Sequence, residues 1–402
     1  MTGLGVLATF ALRAVMTREL LPYGRQSIDE DDIAAVVEAL RSDYLTTGPR
    51  VRAFEAALAE QLDVPHVVAV CNGTAALHAA CAALGLGPGD EVLVPAVTFL
   101  ASANCARYVG AEPVFVDVDP HTGLIDLEDA ARRLSPRTRA IIPVHLTGQP
   151  VDLDALADFA RAHELKVIED AAHALGARWG ERPIGDCRST DMAIFSFHPV
   201  KHVTTGEGGA ISTRDPQLAR RLEVFRSHGM VRDPEHLREP SPGPWYYEQQ
   251  ELGYNYRITD IQCALGLSQL RKLGAFVDTR RALAARYDRL LSELKHVRAI
   301  ARGAAQGSSA YHLYAVQIDF EACGRSRAEL MAALRERGVL TQVHYIPVPS
   351  QPYYRERGAD MAQYPGARAY YEASLSVPLF PAMDEGDVDR VVAALAELTG
   401  GS

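Results

Sequence analysis

No long block of like charge, no low-complexity tract and no repeat at solenoid spacing occurs in this chain, which removes charged tails, linkers and repeat arrays from consideration. The six cysteines stand far apart, at positions 71, 81, 105, 187, 263 and 323, and form no C-x-x-C pair. Neither a zinc ribbon nor a disulfide framework is implied, no metal site is expected, and a reduced, cytoplasmic setting fits. The formal net charge of -10 lacks the clustered cations that displace phosphate counterions, so no nucleic-acid partner is expected. Long apolar runs are missing as well. Met1 to Val15 are apolar and small, but Arg13 interrupts them and they are too short to span a bilayer, so no membrane partner is expected. They also lack the charged segment that opens a secretory signal. Residues 1–16 are read as a disordered extension, or as the product of a start placed upstream of Met16.

What is present is a long chain, 402 residues with 48% hydrophobic composition, able to bury a large core and suited to one big domain plus a smaller one. Short apolar runs at His66–Cys71, Glu91–Pro95, Pro113–Asp117, Ala140–Val144, Lys166–Asp170 and Ala193–Phe197 read as buried strands. Helical patterns lie between them; in Thr74–Leu84, Ala76, Leu77, Ala80, Cys81 and Leu84 share one face. This alternation predicts an α/β fold with a mostly parallel central sheet covered on both faces. Ligands of such sheets collect at the carboxyl ends of the strands. After Pro240–Pro244 the pattern changes to a long helical run over Thr259–Leu294. A strand at His312–Ile318, a helix at Ser326–Arg337, a strand at Val339–His344 and a terminal helix at Glu385–Leu398 follow. A large domain over residues 17–255 and a smaller C-terminal α+β domain over 256–402 are expected.

Lys201 follows one of these strand ends and precedes the Gly-rich run Gly206-Glu207-Gly208-Gly209. Its amine attacks an aldehyde only where desolvation or a neighbouring cation lowers its pKa; read alone, it fits a solvated loop lysine as well. Asp170 closes a buried strand and points toward the ligand crevice, where a carboxylate can keep a cofactor's pyridine nitrogen protonated, or it caps the next turn. His173 lies just beyond, near a ring edge or simply satisfied in the core. Gly73 and Thr74 open a helix where backbone N–H groups and the dipole favour phosphate, although Asn72-Gly73-Thr74 is also an ordinary cap. Phe99 can stack on a ring or belong to the core. Together with the hydroxyl of Ser196 these are the parts of a pyridoxal 5'-phosphate (PLP) site.

With Asn72-Gly73-Thr74-Ala75-Ala76-Leu77, Glu169-Asp170-Ala171-Ala172-His173, Ser196-Phe197-His198 and Lys201 in place, the chain resembles the DegT/DnrJ/EryC1/StrS family of sugar aminotransferases, PLP enzymes of fold type I. The resemblance runs from about Leu21 to the last helix. It implies that Lys201 is the Schiff-base lysine, Asp170 the partner of the pyridine nitrogen and Phe99 the stacking ring, with Gly73, Thr74 and Ser196 on the phosphate and His173 at the cofactor. It also implies a homodimer with shared sites, in which Asn255 of Gly253-Tyr254-Asn255-Tyr256-Arg257 enters the neighbour's phosphate site. Within the family, Phe225–Met230, Ile261–Leu270 and Gln342-Val343-His344-Tyr345 resemble the pseudaminic acid subgroup. That resemblance implies L-glutamate as donor, C4 of a UDP-linked 4-keto-6-deoxy-N-acetylhexosamine as acceptor, and sugar contacts from Tyr23, Leu45, Thr46, Thr47, Gln342, His344 and Tyr345. Relatives that dehydrate rather than aminate lose the lysine, which is retained here. Trp245–Gln250 has no assigned counterpart.

Overall fold

The computed structural model describes residues 20–400; the expectation for residues 1–16 lies outside them. Seven strands form the main sheet: β1 (His66–Val70), β2 (Glu91–Pro95), β3 (Glu112–Val116), β4 (Thr138–Ile141), β5 (Lys166–Asp170), β6 (Met192–Ser196) and β7 (Gly209–Thr213). Their order across the sheet is β1-β7-β6-β5-β4-β2-β3. Pairs from β6 through β3 are parallel, whereas β7 runs antiparallel to both β1 and β6. The sheet is therefore mixed, a single reversed strand in an otherwise parallel set, and β7 is absent from the strands expected of the sequence.

Helix α1 (Gly73–Ala83) follows β1 and α2 (Leu100–Tyr108) follows β2. Every residue of α1 from Ala75 to Cys81 is buried, not one face only. The helix is packed between β6 and β7 on one side and α2 and the helix Pro216–Phe225 on the other. Its alanines are what allow that approach, since small side chains keep two neighbouring layers close.

A second sheet of three antiparallel strands, β8 (Val297–Ala299), β9 (Tyr314–Ile318) and β10 (Ser374–Val377), has β9 at its centre. The helical run expected over 259–294 is two helices, α3 (Asp260–Leu270) and α4 (Leu273–Leu291), broken at Arg271 and Lys272. The Lys272 ammonium is tied to the Asp29 and Asp32 carboxylates at 2.7 and 2.8 Å. The strand expected over Val339–His344 is replaced by two single bridges, Val339 to Leu21 and Gln342 to Ser376; its two ends pair with different partners, so no ladder forms. Helix α5 (Arg327–Glu336) is capped by Ser326, with Glu329 completing a reciprocal capping box. Helix α6 (Glu385–Thr399) closes the fold.

The apolar core has two centres. One surrounds the seven-stranded sheet and the other fills the space between the three-stranded sheet, α4, α5 and α6. Helix α4 belongs to both, giving Leu273 and Val277 to the first and Leu283, Tyr287 and Leu291 to the second. No helix among the described residues is long and apolar enough to cross a membrane.

Candidate active site

At the carboxyl edge of the main sheet lies a cavity of about 660 Å³ whose walls come from the ends of β1, β2, β4, β5 and β6 and from the segment Gln342–Ile346. One end is the start of α1. Asn72 Oδ1 accepts the Ala75 N–H at 2.8 Å and the Asn72 carbonyl accepts that of Ala76. The first N–H groups of the helix, at Gly73 and Thr74, have no intrahelical acceptor by geometry and open onto the cavity with Ser196. Gly209 makes this possible. A side chain there would put its Cβ 2.5 Å from the Asn72 carbonyl oxygen and 2.8 Å from Gly73 N, displacing the helix start.

Asp170 forms the far wall, buried at the end of β5. Ser102 Oγ donates to Asp170 Oδ2 at 2.6 Å, and Thr98 Oγ1 is 2.7 Å from Ser102 Oγ. The Ala172 N–H reaches Oδ1 at 3.2 Å. Burial pushes the carboxyl's pKa up, and these hydrogen bonds pull it back. On the opposite face of the strand Glu169 accepts from Thr190 Oγ1 at 2.5 Å and meets His145 Nε2 at 2.9 Å. Because His145 Nδ1 accepts the Val151 N–H, its proton is assigned to Nε2, which donates to Glu169. The strand end carrying Asp170 is thus anchored from behind. Ser102 and Thr98 were not among the expected site residues; Thr98 stands just before α2 and Ser102 in its first turn, and their four-residue spacing was the available signal.

Lys201 sits partly buried between these ends, its Nζ 3.3 Å from His312 Nε2. Burial lowers its pKa to about 7, against an opposing pull from the Asp170 charge. At neutral pH a large share of this amine is therefore unprotonated, unlike an ordinary lysine. His173 Nε2 is 3.1 Å from the Tyr345 hydroxyl, and its ring lies 4.3 Å, centroid to centroid, from that of His312. His344 Nδ1 is 2.9 Å from Ser376 Oγ and its ring packs near Tyr23. Phe99 is 54% exposed and projects into the cavity, 5.9 Å from the Tyr345 ring. It is a face offered to a ligand rather than part of the core.

The fold thus gathers Tyr23, Gly73, Thr74, Phe99, Asp170, His173, Ser196, Lys201, Gln342, His344 and Tyr345 around one cavity. Leu45, Thr46, Thr47 and Asn255 do not line it. Leu45, Thr46 and Thr47 form an exposed turn held to the start of α3, where the Asp260 carboxylate accepts the N–H groups of Gly48 and Arg50. Asn255 is exposed and bridges Ser227.

A buried carboxylate, a desolvated amine, a helix N-terminus with an adjacent hydroxyl, and an exposed aromatic face fit the ring nitrogen, aldehyde, phosphate and ring plane of PLP. The buried Nδ1 atoms of His173 and His312, unpartnered among the described residues, add polar capacity beside it. Such a site belongs to an aminotransferase of fold type I. Residues 26–396 match the model of the DegT/DnrJ/EryC1/StrS aminotransferase family, and the chain belongs to that family of PLP-dependent sugar aminotransferases. It is 40% identical over 391 residues to the spore coat polysaccharide biosynthesis protein SpsC of Bacillus subtilis (strain 168), covering 95% of this chain and 98% of that protein. Among solved structures, Helicobacter pylori PseC, an aminotransferase involved in pseudaminic acid biosynthesis, superposes with a TM-score of 0.88 at 29% identity, over 95% of this chain and all (100%) of that one. The Streptococcus pneumoniae sugar aminotransferase Spr1654 in its PLP form gives 0.86 at 30% identity, over 95% and 99% of the two chains, and the same protein is also known in a PMP form.

Proposed function

We propose that the chain transfers an amino group from L-glutamate to C4 of a UDP-linked 4-keto-6-deoxy-N-acetylhexosamine, the chemistry of pseudaminic acid-type sugars. The observation that carries the reading is one cavity that gathers the Lys201 amine, the buried Asp170 carboxylate and the start of α1, with burial lowering the amine's pKa. PLP, when bound, supplies an electron sink and carries the amino group from donor to acceptor. The other duties fall to side chains. The N–H groups of Gly73 and Thr74 and the Ser196 hydroxyl would hold the phosphate, Asp170 would keep the ring nitrogen's proton, and Phe99 and His173 would offer their rings to the cofactor. Lys201 would hold the cofactor through its amine, and that same amine is the base and acid that would move a proton at the donor's α-carbon and at the sugar carbon.

Tyr23, Gln342, His344 and Tyr345 line the outer part of the cavity and are assigned to the sugar nucleotide. The exposed turn Leu45–Thr47 and Asn255 act across a homodimer, with Asn255 of the partner subunit completing the phosphate site. The large cofactor-binding domain is assigned to residues 17–255 and the small domain to 256–402. The unpaired cysteines support a cytoplasmic enzyme.

For the acceptor, the similarity to PseC supports the pseudaminic acid-type sugar. The higher identity to SpsC favours a second reading, another UDP- or GDP-linked 4-keto sugar. Half-reaction kinetics of the aminated holoenzyme against a panel of UDP- and GDP-4-keto sugars, with the product's C4 configuration read by NMR, decides between them. A UDP-4-keto-6-deoxy-N-acetylhexosamine turned over no faster than the GDP sugars overturns the first reading.

A further inference from the structure

His312 touches the reactive amine through its Nε2, an atom given no role in the site as described so far. It lies just before β9, 111 positions from Lys201 in the sequence, yet its Nε2 is 3.3 Å from Nζ. Its position is fixed from two sides. Arg280 of α4, fully buried, donates through Nη1 to the carbonyls of Tyr311 and His312, each at 3.2 Å, and of Leu379 at 2.8 Å. From the other side the loop after β4 presses on the same backbone. The Ala310 N–H bonds the Gly148 carbonyl and the Leu313 N–H bonds that of Thr147. Gly148 has φ +98°, and a Cβ there would sit 2.9 Å from both Tyr311 N and His312 N. Tyr311 itself is held at φ 50°, a conformation unfavourable for a bulky L-residue.

The ring is not there to fill space. Among the described residues His312 Nδ1 is buried without a partner, and a bare buried polar atom is destabilising where an apolar side chain would not be. A leucine or methionine would fill the volume against His173 at lower cost. The Nε2 contact with Lys201 is what sets the imidazole apart from them.

We propose that His312 is a positioning residue for Lys201: its Nε2 accepts a hydrogen bond from Nζ whenever that nitrogen is not joined to the cofactor, and so directs the amine's lone pair into the cavity. The inference rests on Lys201 being the cofactor lysine. Accepting at Nε2 places the imidazole proton on Nδ1. The groups facing the amine are Asp170 from β5, His173 beyond it with the Tyr345 hydroxyl on its Nε2, His202 from the lysine's own loop, and His344 from the cavity rim, with Arg280 and Arg281 near His202 and Arg280 behind His312. Burial lowers the pKa of all four imidazoles, so His312 acts as a neutral acceptor. A neutral acceptor stabilises an ammonium more than an amine. Removing it moves Lys201's titration to lower pH.

The test uses full-length apoprotein, with the pH dependence of Lys201 acetylation by acetic anhydride read by peptide mass spectrometry. His312→Leu is expected to accelerate labelling about tenfold at pH 6 and to lower the midpoint. His312→Gln, which returns an acceptor near the Nε2 position, is expected to restore the wild-type profile. A wild-type profile in His312→Leu overturns the proposal. Should the leucine variant not fold, the ¹⁵N resonance of His312 Nε2 decides: it is expected to shift in Lys201→Met, and an unmoved resonance overturns the contact. Borohydride fixation of PLP on Lys201 in the wild-type protein tests the cofactor assignment separately, because it does not depend on His312.

Discussion

Ser102 is the most direct handle on the carboxylate that faces the cofactor. Its hydroxyl donates to Asp170 Oδ2 at 2.6 Å while standing 2.7 Å from Thr98 Oγ1. Ser102→Ala therefore leaves Asp170 with the Ala172 N–H at 3.2 Å and leaves the Thr98 hydroxyl unpaired. A hydrogen bond to a charged group is worth about 1.5–3 kcal/mol, and one to a neutral group about 0.5–1.5 kcal/mol. The difference sets the sign of the pH effect. Burial already raises the Asp170 pKa above that of the unfolded chain, so its burial penalty appears as pH rises from the unfolded value of about 3.9 through the folded one. Losing Ser102 raises the folded value further. The variant should lose about 1.5–3 kcal/mol at pH 7 and only about 0.5–1.5 kcal/mol near pH 3, below the unfolded value, where the carboxyl is largely protonated in both states. The measurement is urea unfolding of wild-type and Ser102→Ala apoprotein at the two pH values, alongside PLP affinity at pH 7. Affinity should fall about tenfold, because a carboxylate that protonates more readily is a poorer partner for a ring nitrogen. Equal stability losses at both pH values together with unchanged affinity would refute the reasoning.

Lys201 gives a second pH test. With its pKa lowered to about 7, the reactive free amine grows as pH rises through that value and then saturates; recombination of apoprotein with PLP, followed by absorbance, should level off above about pH 8. A rate still climbing at pH 10 would mean an ordinary lysine. Gly209→Ala places a methyl group 2.5 Å from the Asn72 carbonyl, so PLP affinity should drop at least about tenfold while sheet content by circular dichroism is kept. Co-expressed Lys201→Ala and Asn255→Ala chains test the shared site. Each chain alone should be nearly inactive, and the random mixture should recover about a quarter of wild-type activity, because each mixed dimer rebuilds one intact site. No recovery in verified mixed dimers would place Asn255 outside the partner's site.

What the sequence made legible, and what it hid, follows from where each contact is formed. β5 was readable to the residue because Val167 and Ile168 are buried between a strand-opening lysine and the Glu169-Asp170 pair. Asp170 ends β5 and Lys201 comes a few residues after the end of β6, so the sequence could place both at the carboxyl edge of the sheet, where the cavity lies. β7 was hidden because it opens on Gly209 at the end of the run Gly206-Glu207-Gly208-Gly209, which reads as loop; that glycine is demanded by Asn72, just past the end of the neighbouring β1. The break between α3 and α4 carries no glycine or proline. It coincides with a tether from Lys272 to carboxylates some 240 positions earlier. Ser102 and His312 lie 68 and 111 positions from the groups they touch, and no local pattern connects such pairs. His312 shows the limit most plainly. Its place beside Lys201 depends on α4 spanning both cores, on Arg280 buried between them, and on a positive-φ glycine in a loop of the main sheet. Local pattern reveals the groups that a strand end presents. The groups that orient them come from elsewhere in the chain, Ser102 from α2 packed on the same sheet and His312 from the second core packed against the first.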